Sequence, residues 1–403
     1  MILPAVAWRT RAPLIHLVAV LGAQEGLSRF VGGAVRDTLL HLPVADLDLA
    51  TALPPDAVME RLKAAQIKAI PTGLAHGTIT AVLPQGPVEV TTLRRDVATD
   101  GRHAVVAFTD DWRADAARRD FTINALSADP ISGEIFDYFD GLADLEAGHV
   151  RFIGAPLERI AEDHLRILRF FRFHARFGKD APDPEGLAAC TARANDLMAL
   201  SRERIAQELL KLLAVADPVP TVTVMVAHGI FKPVLPEIDR DGVARLARLV
   251  RREAPAGVGS SPLRRLAALL PPDPALAESV AARLKLSNAQ RKRLALAADP
   301  TEPAAPRPLA YGIGVEGARD RLLLRGSDDA VGPGLEALRG WQPPHLPIGG
   351  GALVALGLTA GPVVAATLKA IERRWVAEDF PDADRVQALA AEEIDQAARL
   401  RRK

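Results

Sequence analysis

The chain has 403 residues, room for two to four domains and a sizeable core. Apolar residues make up 49% and charged residues 25%, and 30 Gly with 31 Pro are too few for a collagen-like or disordered chain. Lys and Arg number 50 and so do Asp and Glu, which excludes a globally basic coat for nucleic acid but not a local basic face.

From the N-terminus, an apolar run near Leu14–Leu21 has Arg9, Arg11 and His16 inside or beside it. No small-residue cleavage site follows, so it does not read as a signal peptide. No stretch of about 20 apolar residues exists to span a bilayer, and the expected setting is cytoplasmic. Ser28–Val31 reads as a short strand ending at Gly32-Gly33, followed by a helix from Ala34 to Leu40 that Pro43 stops. Ala45–Thr51 reads as a strand. Thr78–Leu83 and Val88–Leu93 flank Pro84-Gln85-Gly86-Pro87 as a hairpin. From Asp96 to Asp111 the chain is polar and carries Gly101, which suggests a mobile loop.

After about Gly141 strand signals fade and helical periodicity dominates. Clusters of Pro and Gly punctuate it near Pro182, Pro262, Pro271, Pro303 and Pro343. The one cysteine, Cys190, can form no internal disulfide and no Cys-based zinc site, and reads as a small buried hydrophobe. His76 and His103 have no metal-ligand partner at usable spacing.

Asp46-Leu47-Asp48 is the most informative tripeptide. On a strand, residues i and i+2 share a face, and two carboxylates held so close repel unless a cation lies between them. Two Mg²⁺ ions about 4 Å apart are what in-line nucleotidyl transfer uses. Upstream, Phe30-Val31-Gly32-Gly33-Ala34-Val35-Arg36-Asp37 runs a strand into Gly-Gly and then a helix, a cradle of backbone N–H groups for phosphate. Arg36, one turn into the helix, adds a charge-assisted contact. Glu89 faces opposite to Val88 and Val90. It is either a third acidic group near the metals or a plain exposed strand residue.

These segments resemble the bacterial (class II) tRNA nucleotidyltransferase/poly(A) polymerase family. Arg118-Arg119-Asp120-Phe121-Thr122-Ile123-Asn124 looks like its ribose-selecting motif. Asp137–Gly141 with Asp144-Leu145 resembles the hinge that follows. Glu162-Asp163-His164-Leu165-Arg166-Ile167-Leu168-Arg169 resembles the base-selecting helix, and Ser201-Arg202-Glu203-Arg204-Ile205 the last motif helix. The six segments follow the family's order across residues 28–213.

The resemblance implies an α+β fold: a small mixed-sheet nucleotidyltransferase head at 1–140, then an extended all-helical neck (141–213), body (214–300) and tail (301–403). Asp46 and Asp48 would be catalytic and hold Mg²⁺. Gly33, Arg36, Arg119 and Asp120 would hold the triphosphate and ribose. Asp163, Arg166, Arg169 and Arg172 recur every three residues, and on a helix the first three fan over about 120°, a single broad face. C and A both present an exocyclic amine beside a ring-nitrogen acceptor, so an Asp163–Arg166 pair could accept either and refuse G or U. Arg169 and Arg172 would serve phosphates or backbone. Phe170, Phe171, Phe173 and Phe177 read as core, with base stacking open to one of them.

In the C-terminal half, Arg264-Arg265, Lys285, Arg291-Lys292-Arg293, Arg373-Arg374 and Arg401-Arg402-Lys403 are basic clusters for an RNA backbone. The implied function is untemplated addition of CCA to the 3′ end of tRNA from CTP and ATP, with no membrane and no obligate protein partner. The alternatives are a poly(A) polymerase, a partial enzyme adding only CC or only A, and a non-catalytic RNA-binding protein.

Overall fold

The computed structural model describes residues 1–99, 104–303 and 305–400. By internal packing the chain divides into two units, Met1–Pro236 and Glu237–Lys403. The fold is α+β, with the main sheet confined to the first unit.

In that unit the helix α1 (Ala12–Val20) precedes the strand β1 (Ser28–Val31), the helix α2 (Gly33–Leu39) and the strand β2 (Leu47–Thr51). Helix α3 (Pro55–Ala64), with Pro at its first turn, leads to β3 (Lys68–Gly73), β4 (Thr78–Leu83) and β5 (Gly86–Thr92). β6 (Arg94–Thr99) and β7 (Ala104–Phe108) form a separate two-stranded sheet. Helix α4 (Trp112–Ala117) and the short strands β8 (Ser127–Ala128) and β9 (Ile135–Phe136) complete this part.

The main sheet has the order β3-β4-β5-β2-β1-β8-β9, with β2 and β5 parallel and the other pairs antiparallel. Phe30 on β1 opposes Leu49 on β2, and both are buried. The register of β2 against β5 sets Asp48 directly beside Glu89.

Helices α5 (Gly141–Ala147), α6 (Pro156–Glu162), α7 (Arg166–Phe177), α8 (Pro184–Ala192), α9 (Arg202–Leu213) and α10 (Val219–Ala227) follow. α7 is strongly two-faced. Its Phe170, Phe171, Phe173 and Phe177 are buried, while its arginines lie toward polar groups. Phe170 stacks on Phe152 at 5.4 Å between centroids, and Phe152 meets Phe121 at 4.9 Å. This aromatic core seats α7 against the segment that carries Arg119 and Asp120. Ser201 caps α9 by accepting from the Arg204 N–H.

The second unit is helical in its described residues: α11 (Arg240–Glu253), α12 (Pro262–Leu269), α13 (Pro274–Arg283), α14 (Asn288–Ala298), α15 (Pro306–Ile313), α16 (Val315–Arg325), α17 (Asp328–Ala337), α18 (Gly350–Ala355), α19 (Pro362–Ala377) and α20 (Ala383–Leu400). Asp239, Asp273 and the Ser287–Gln290 capping box start three of them. Among the described residues no helix is long and apolar enough to cross a membrane.

Several expectations change. The strand carrying the carboxylates starts at Leu47, so Asp46 stands just before it, exposed. Residues 96–111 are not one loop, because β6 and β7 pair across most of them, and residues 100–103, with Gly101 and His103, lie outside the described residues. Residues 163–172 are not one helix. α6 ends at Glu162 and Asp163 is extended (φ −151°) before α7 begins, because its carboxylate accepts the Leu165 N–H at 3.1 Å in competition with helical bonding.

The basic pair Arg264-Arg265 is not an open face. Both side chains are buried and held by Glu253, and Arg264 also by Asp320. Arg291 and Arg293 are likewise paired, with Glu278 and Asp320, and Arg374 with Glu392 and Glu393. The cluster at 401–403 lies outside the described residues.

Candidate active site

A cavity of about 540 Å³ gathers the expected residues from four places in the first unit. Gly32, Gly33 and Arg36 come from the β1–α2 junction, Asp46 and Asp48 from the start of β2, and Arg118, Arg119, Asp120 and Asn124 from the segment after α4. Asp163, Arg166, Arg169, Arg172 and Phe173 come from the α6–α7 break and α7. Glu89 does not line it. It lines a neighbouring cavity of about 260 Å³ that shares Asp48, Arg118 and Arg119.

Gly32 explains the shape of one wall. Its φ of +62° with ψ of −122° is a conformation that only glycine adopts readily, and a Cβ there would lie 3.1 Å from Arg119 Nη1. The absent side chain lets Arg119 lie against the backbone, where its Nη1 donates to the Asn124 carbonyl at 3.3 Å.

The acidic wall takes no hydrogen bond from the described residues and is open to water or a cation. Among the described residues none donates a hydrogen bond to the carboxylates of Asp46, Asp48 or Glu89. Burial pushes the Asp48 carboxyl above the usual range, and Glu89 and Asp46 push it further while Arg119 opposes them. An aspartate pair that repels itself and lacks donors suits a hard divalent cation. No three His, Cys, Asp or Glu side chains among the described residues group closely enough to hold a metal alone. The fitting donor set is therefore a carboxylate pair completed by water and phosphate oxygens, the usual manner of Mg²⁺.

The basic wall is strongly ordered. Arg119 and Arg118 are anchored by Asp115, at 3.5 and 2.8 Å. Arg169 Nε donates to Asp120 at 2.6 Å, and Asn124 donates to the other oxygen of that carboxylate at 2.9 Å. Burial raises the Asp120 pKa, but Arg169 and Asn124 outweigh it and hold the carboxyl below its usual value. Arg172 donates to Glu208 at 2.5 Å. Arg36 donates to Asp37 and to the Asn124 side-chain oxygen.

The expected Asp163–Arg166 pair is replaced by two separate anchors. Asp163 accepts from Arg204 at 2.8 Å. Arg166 donates to Glu162 and to the carbonyls of Arg159 and Arg118, at 2.9 and 3.0 Å for the carbonyls. Arg169 and Arg172 are paired with carboxylates rather than standing free. Of the four aromatic residues singled out on α7, Phe173 lines the cavity, with the Arg172 guanidinium 4.3 Å from its ring centroid.

The sequence singles out no role for Asp115, and marks Arg204 and Glu208 only as members of the last motif helix, which runs to Glu208-Leu209, without their partners. Asp115 lies three and four residues before Arg118 and Arg119, a helical ion-pair spacing that could have shown it. Arg204 and Glu208 reach the cavity arginines and Asp163 only through the packing of α9 on α7, for which local spacing holds no signal.

The pattern of a Poly A polymerase head domain matches residues 28–151, and that of a probable RNA- and SrmB-binding site of polymerase A matches residues 181–241. The chain is 36% identical over 371 residues to the mitochondrial CCA tRNA nucleotidyltransferase 1 of Mus musculus, covering 86% of this chain and 82% of that one. It is 39% identical over 205 residues to a CCA-adding enzyme of Levilactobacillus brevis, covering half of each. Its structure matches that of the Bacillus stearothermophilus CCA-adding enzyme in complex with CTP with a TM-score of 0.76 and 27% identity, over 97% of this chain and all of that one.

Proposed function

The chain belongs to the CCA tRNA nucleotidyltransferase family, and on that premise we propose that it adds C, C and A to the 3′ end of tRNA from CTP and ATP, with the cavity described above as the place of reaction. The observation that carries the reading is one cavity lined both by Asp46 and Asp48, which take no hydrogen bond from the described residues, and by arginines held in ion pairs. Nucleotidyl transfer needs this combination, because the reaction makes few demands beyond positioning and charge stabilisation.

The family is metal-dependent, and we assign Mg²⁺ to Asp46 and Asp48. Bound there, it would make the terminal hydroxyl of the RNA a better nucleophile and neutralise the triphosphate. The chain's own residues do the rest. The N–H groups at Gly33 and the guanidinium of Arg36 hold phosphate oxygens. Arg119, fixed by Asp115 and standing next to Asp48, stabilises charge on the α-phosphate as the hydroxyl oxygen bonds to phosphorus and pyrophosphate leaves. Asp120, kept ionised by Arg169 and Asn124, accepts from the ribose hydroxyl. Glu89, beside Asp48 on the sheet, is assigned as an accessory acidic group.

Asp163 accepts the exocyclic amine of C or A, and Arg166 donates to the neighbouring ring nitrogen. Because Arg204 and Glu162 hold these two side chains from behind, both face the nucleotide already oriented. G and U would oppose donor to donor or acceptor to acceptor there, leaving buried polar groups unpaired. Arg169 and Arg172 keep this wall in place through Asp120 and Glu208.

We keep the division into head (1–140), neck (141–213), body (214–300) and tail (301–403), the last binding tRNA, and a cytoplasmic setting, as parts of the same reading. The test supplies purified protein, Mg²⁺ and tRNA lacking its last three nucleotides with CTP, ATP or both, and sequences the new ends. The expected result is CC with CTP alone and CCA with both. Long A tails from ATP alone would make the chain a poly(A) polymerase, CC that never gains A a partial enzyme, and no growth under any condition would overturn the catalytic reading.

A further inference from the structure

Helix α7 hydrogen-bonds to Asp120 in the segment after α4 and to Asp37 on α2, and the two ties are one circuit. Arg169 Nε donates to one oxygen of Asp120, whose other oxygen accepts from the side-chain amide of Asn124. The amide oxygen of Asn124 accepts from Arg36, and Arg36 Nε donates to Asp37 at 2.8 Å. The second oxygen of Asp37 accepts from Arg176 Nη2 at 3.1 Å, which returns the path to α7. Arg169 and Arg176 are seven residues apart, only about 20° short of two full helical turns, so both project from one face.

Each link allows one direction. A carboxylate without a proton only accepts, and a guanidinium only donates. The amide of Asn124 must therefore present its oxygen to Arg36 and its nitrogen to Asp120. Arg36 and Asp120 line the nucleotide cavity, whereas Asp37 and Arg176 do not. Removing Arg176 leaves every group that touches nucleotide chemically intact but loosens one of the ties that hold α7 against α2, where Arg36 also lies over Phe177. The cavity's base-facing arginines stand on α7, and its phosphate-facing Arg36 stands on α2. A shift between those helices changes the distance from base contacts to phosphate contacts.

We propose that Arg176 and Asp37 are a positioning pair for nucleotide choice: they close a ring of hydrogen bonds that fixes Arg36 relative to Arg166. This rests on the CCA-adding reading above. The Arg176 side chain is 43% exposed, and the buried Asp37 keeps Arg36 as a partner when Arg176 is replaced, so the cost to stability stays near that of an exposed ion pair. Replacing Arg176 therefore separates positioning from folding.

The experiment compares the full-length wild type with Arg176→Met, Arg176→Lys and Asp37→Asn on tRNA lacking CCA and on tRNA ending in CC. For Arg176→Met the expected result is a KM for CTP and ATP raised about tenfold, kcat changed less than about threefold, and UTP incorporation relative to CTP raised about tenfold, as for a small misplacement of binding groups. The thermal midpoint should stay within about 2 °C of wild type. Arg176→Lys, which keeps a cation for Asp37, should recover most of the lost affinity, and Asp37→Asn, which also weakens the buried pair with Arg36, should lose at least as much affinity and lower the thermal midpoint further. Unchanged KM and UTP rejection in Arg176→Met would overturn the proposal. So would a loss confined to kcat and thermal midpoint that Arg176→Lys does not recover. A wild type that adds no CCA would instead overturn the function itself.

Discussion

Asp163 gives its carboxylate to Arg204 on α9 and not to Arg166, although Arg166 is only three residues away in the chain. In the proposed reading, base choice therefore rests on two independently anchored side chains. Arg204→Met should cost roughly the value of one charge-assisted hydrogen bond, ~1.5–3 kcal/mol, about 10- to 160-fold in CTP and ATP use. Arg166→Ala should blur the choice between CTP and ATP while tRNA affinity changes little. Competition between the two nucleotides on tRNA ending in CC reads the first effect, and filter binding reads the second. Unchanged nucleotide selectivity in Arg166→Ala would remove that residue from base recognition.

Asp48→Ala should abolish addition of every nucleotide, by at least about 10²- to 10³-fold, the scale of losing a principal electrostatic contact to the reacting group. Binding of tRNA should survive, because the substitution lies in the sheet and removes a negative charge. Normal elongation by this variant would contradict the metal assignment, and titration with Mg²⁺ of wild type and variant in parallel gives the same comparison without chemistry.

Gly32→Ala forces a Cβ onto a backbone at φ +62° and toward Arg119. The strain is of order 1–3 kcal/mol, which corresponds to a lowering of the thermal midpoint of roughly 2–4 °C per kcal/mol in a unit of this size. Nucleotide affinity should fall with it as Arg119 is displaced, and calorimetry with CTP in the absence of tRNA measures that.

Asp120 contributes a defined acid sensitivity. Its folded pKa is below the unfolded value, so its stabilisation is complete above an unfolded value of about 3.9 and is lost as pH falls from there through the folded value. Urea midpoints should drop through that window in the wild type. Asp120→Asn, less stable at neutral pH, should show a shallower decline below about pH 4.

In the second unit Glu253 neutralises both Arg264 and Arg265 from a buried position. Glu253→Leu leaves two buried guanidiniums short of a partner and should destabilise this unit by ~3–5 kcal/mol. Urea unfolding that shows the unit intact would mean that the other groups around the two guanidiniums, Asp320 at Arg264 among them, suffice.

Much of the first unit was legible because its signals are local. Alternation and Gly-Pro punctuation marked Ser28–Val31 and Thr78–Leu83 at the ends they have in the structure, and the Asp-x-Asp spacing led to the acidic wall. Helix α3 and strand β3 carry no motif that marks them in the sequence. The break at Asp163 was hidden because its residue types fit a helix, and only its side chain's bond to the Leu165 N–H shows the interruption. The arginine clusters of the second unit were misread as open faces for a related reason. Their acidic partners, such as Glu253 and Asp320, lie 11 to 56 residues away, and pairing over that separation is decided by how helices pack.

The two-turn separation of Arg169 and Arg176 also makes α7 intolerant of any change in length. One inserted residue between them would swing Arg176 by about 100° around the helix axis, away from Asp37, and would turn Phe177 out of the aromatic core in the same motion. An insertion at the exposed tip of the β4–β5 hairpin, at Pro84-Gln85, would be absorbed by the turn. Spacing along this helix thus acts as a ruler for the enzyme, and altering its length is a harsher change than replacing a side chain along it.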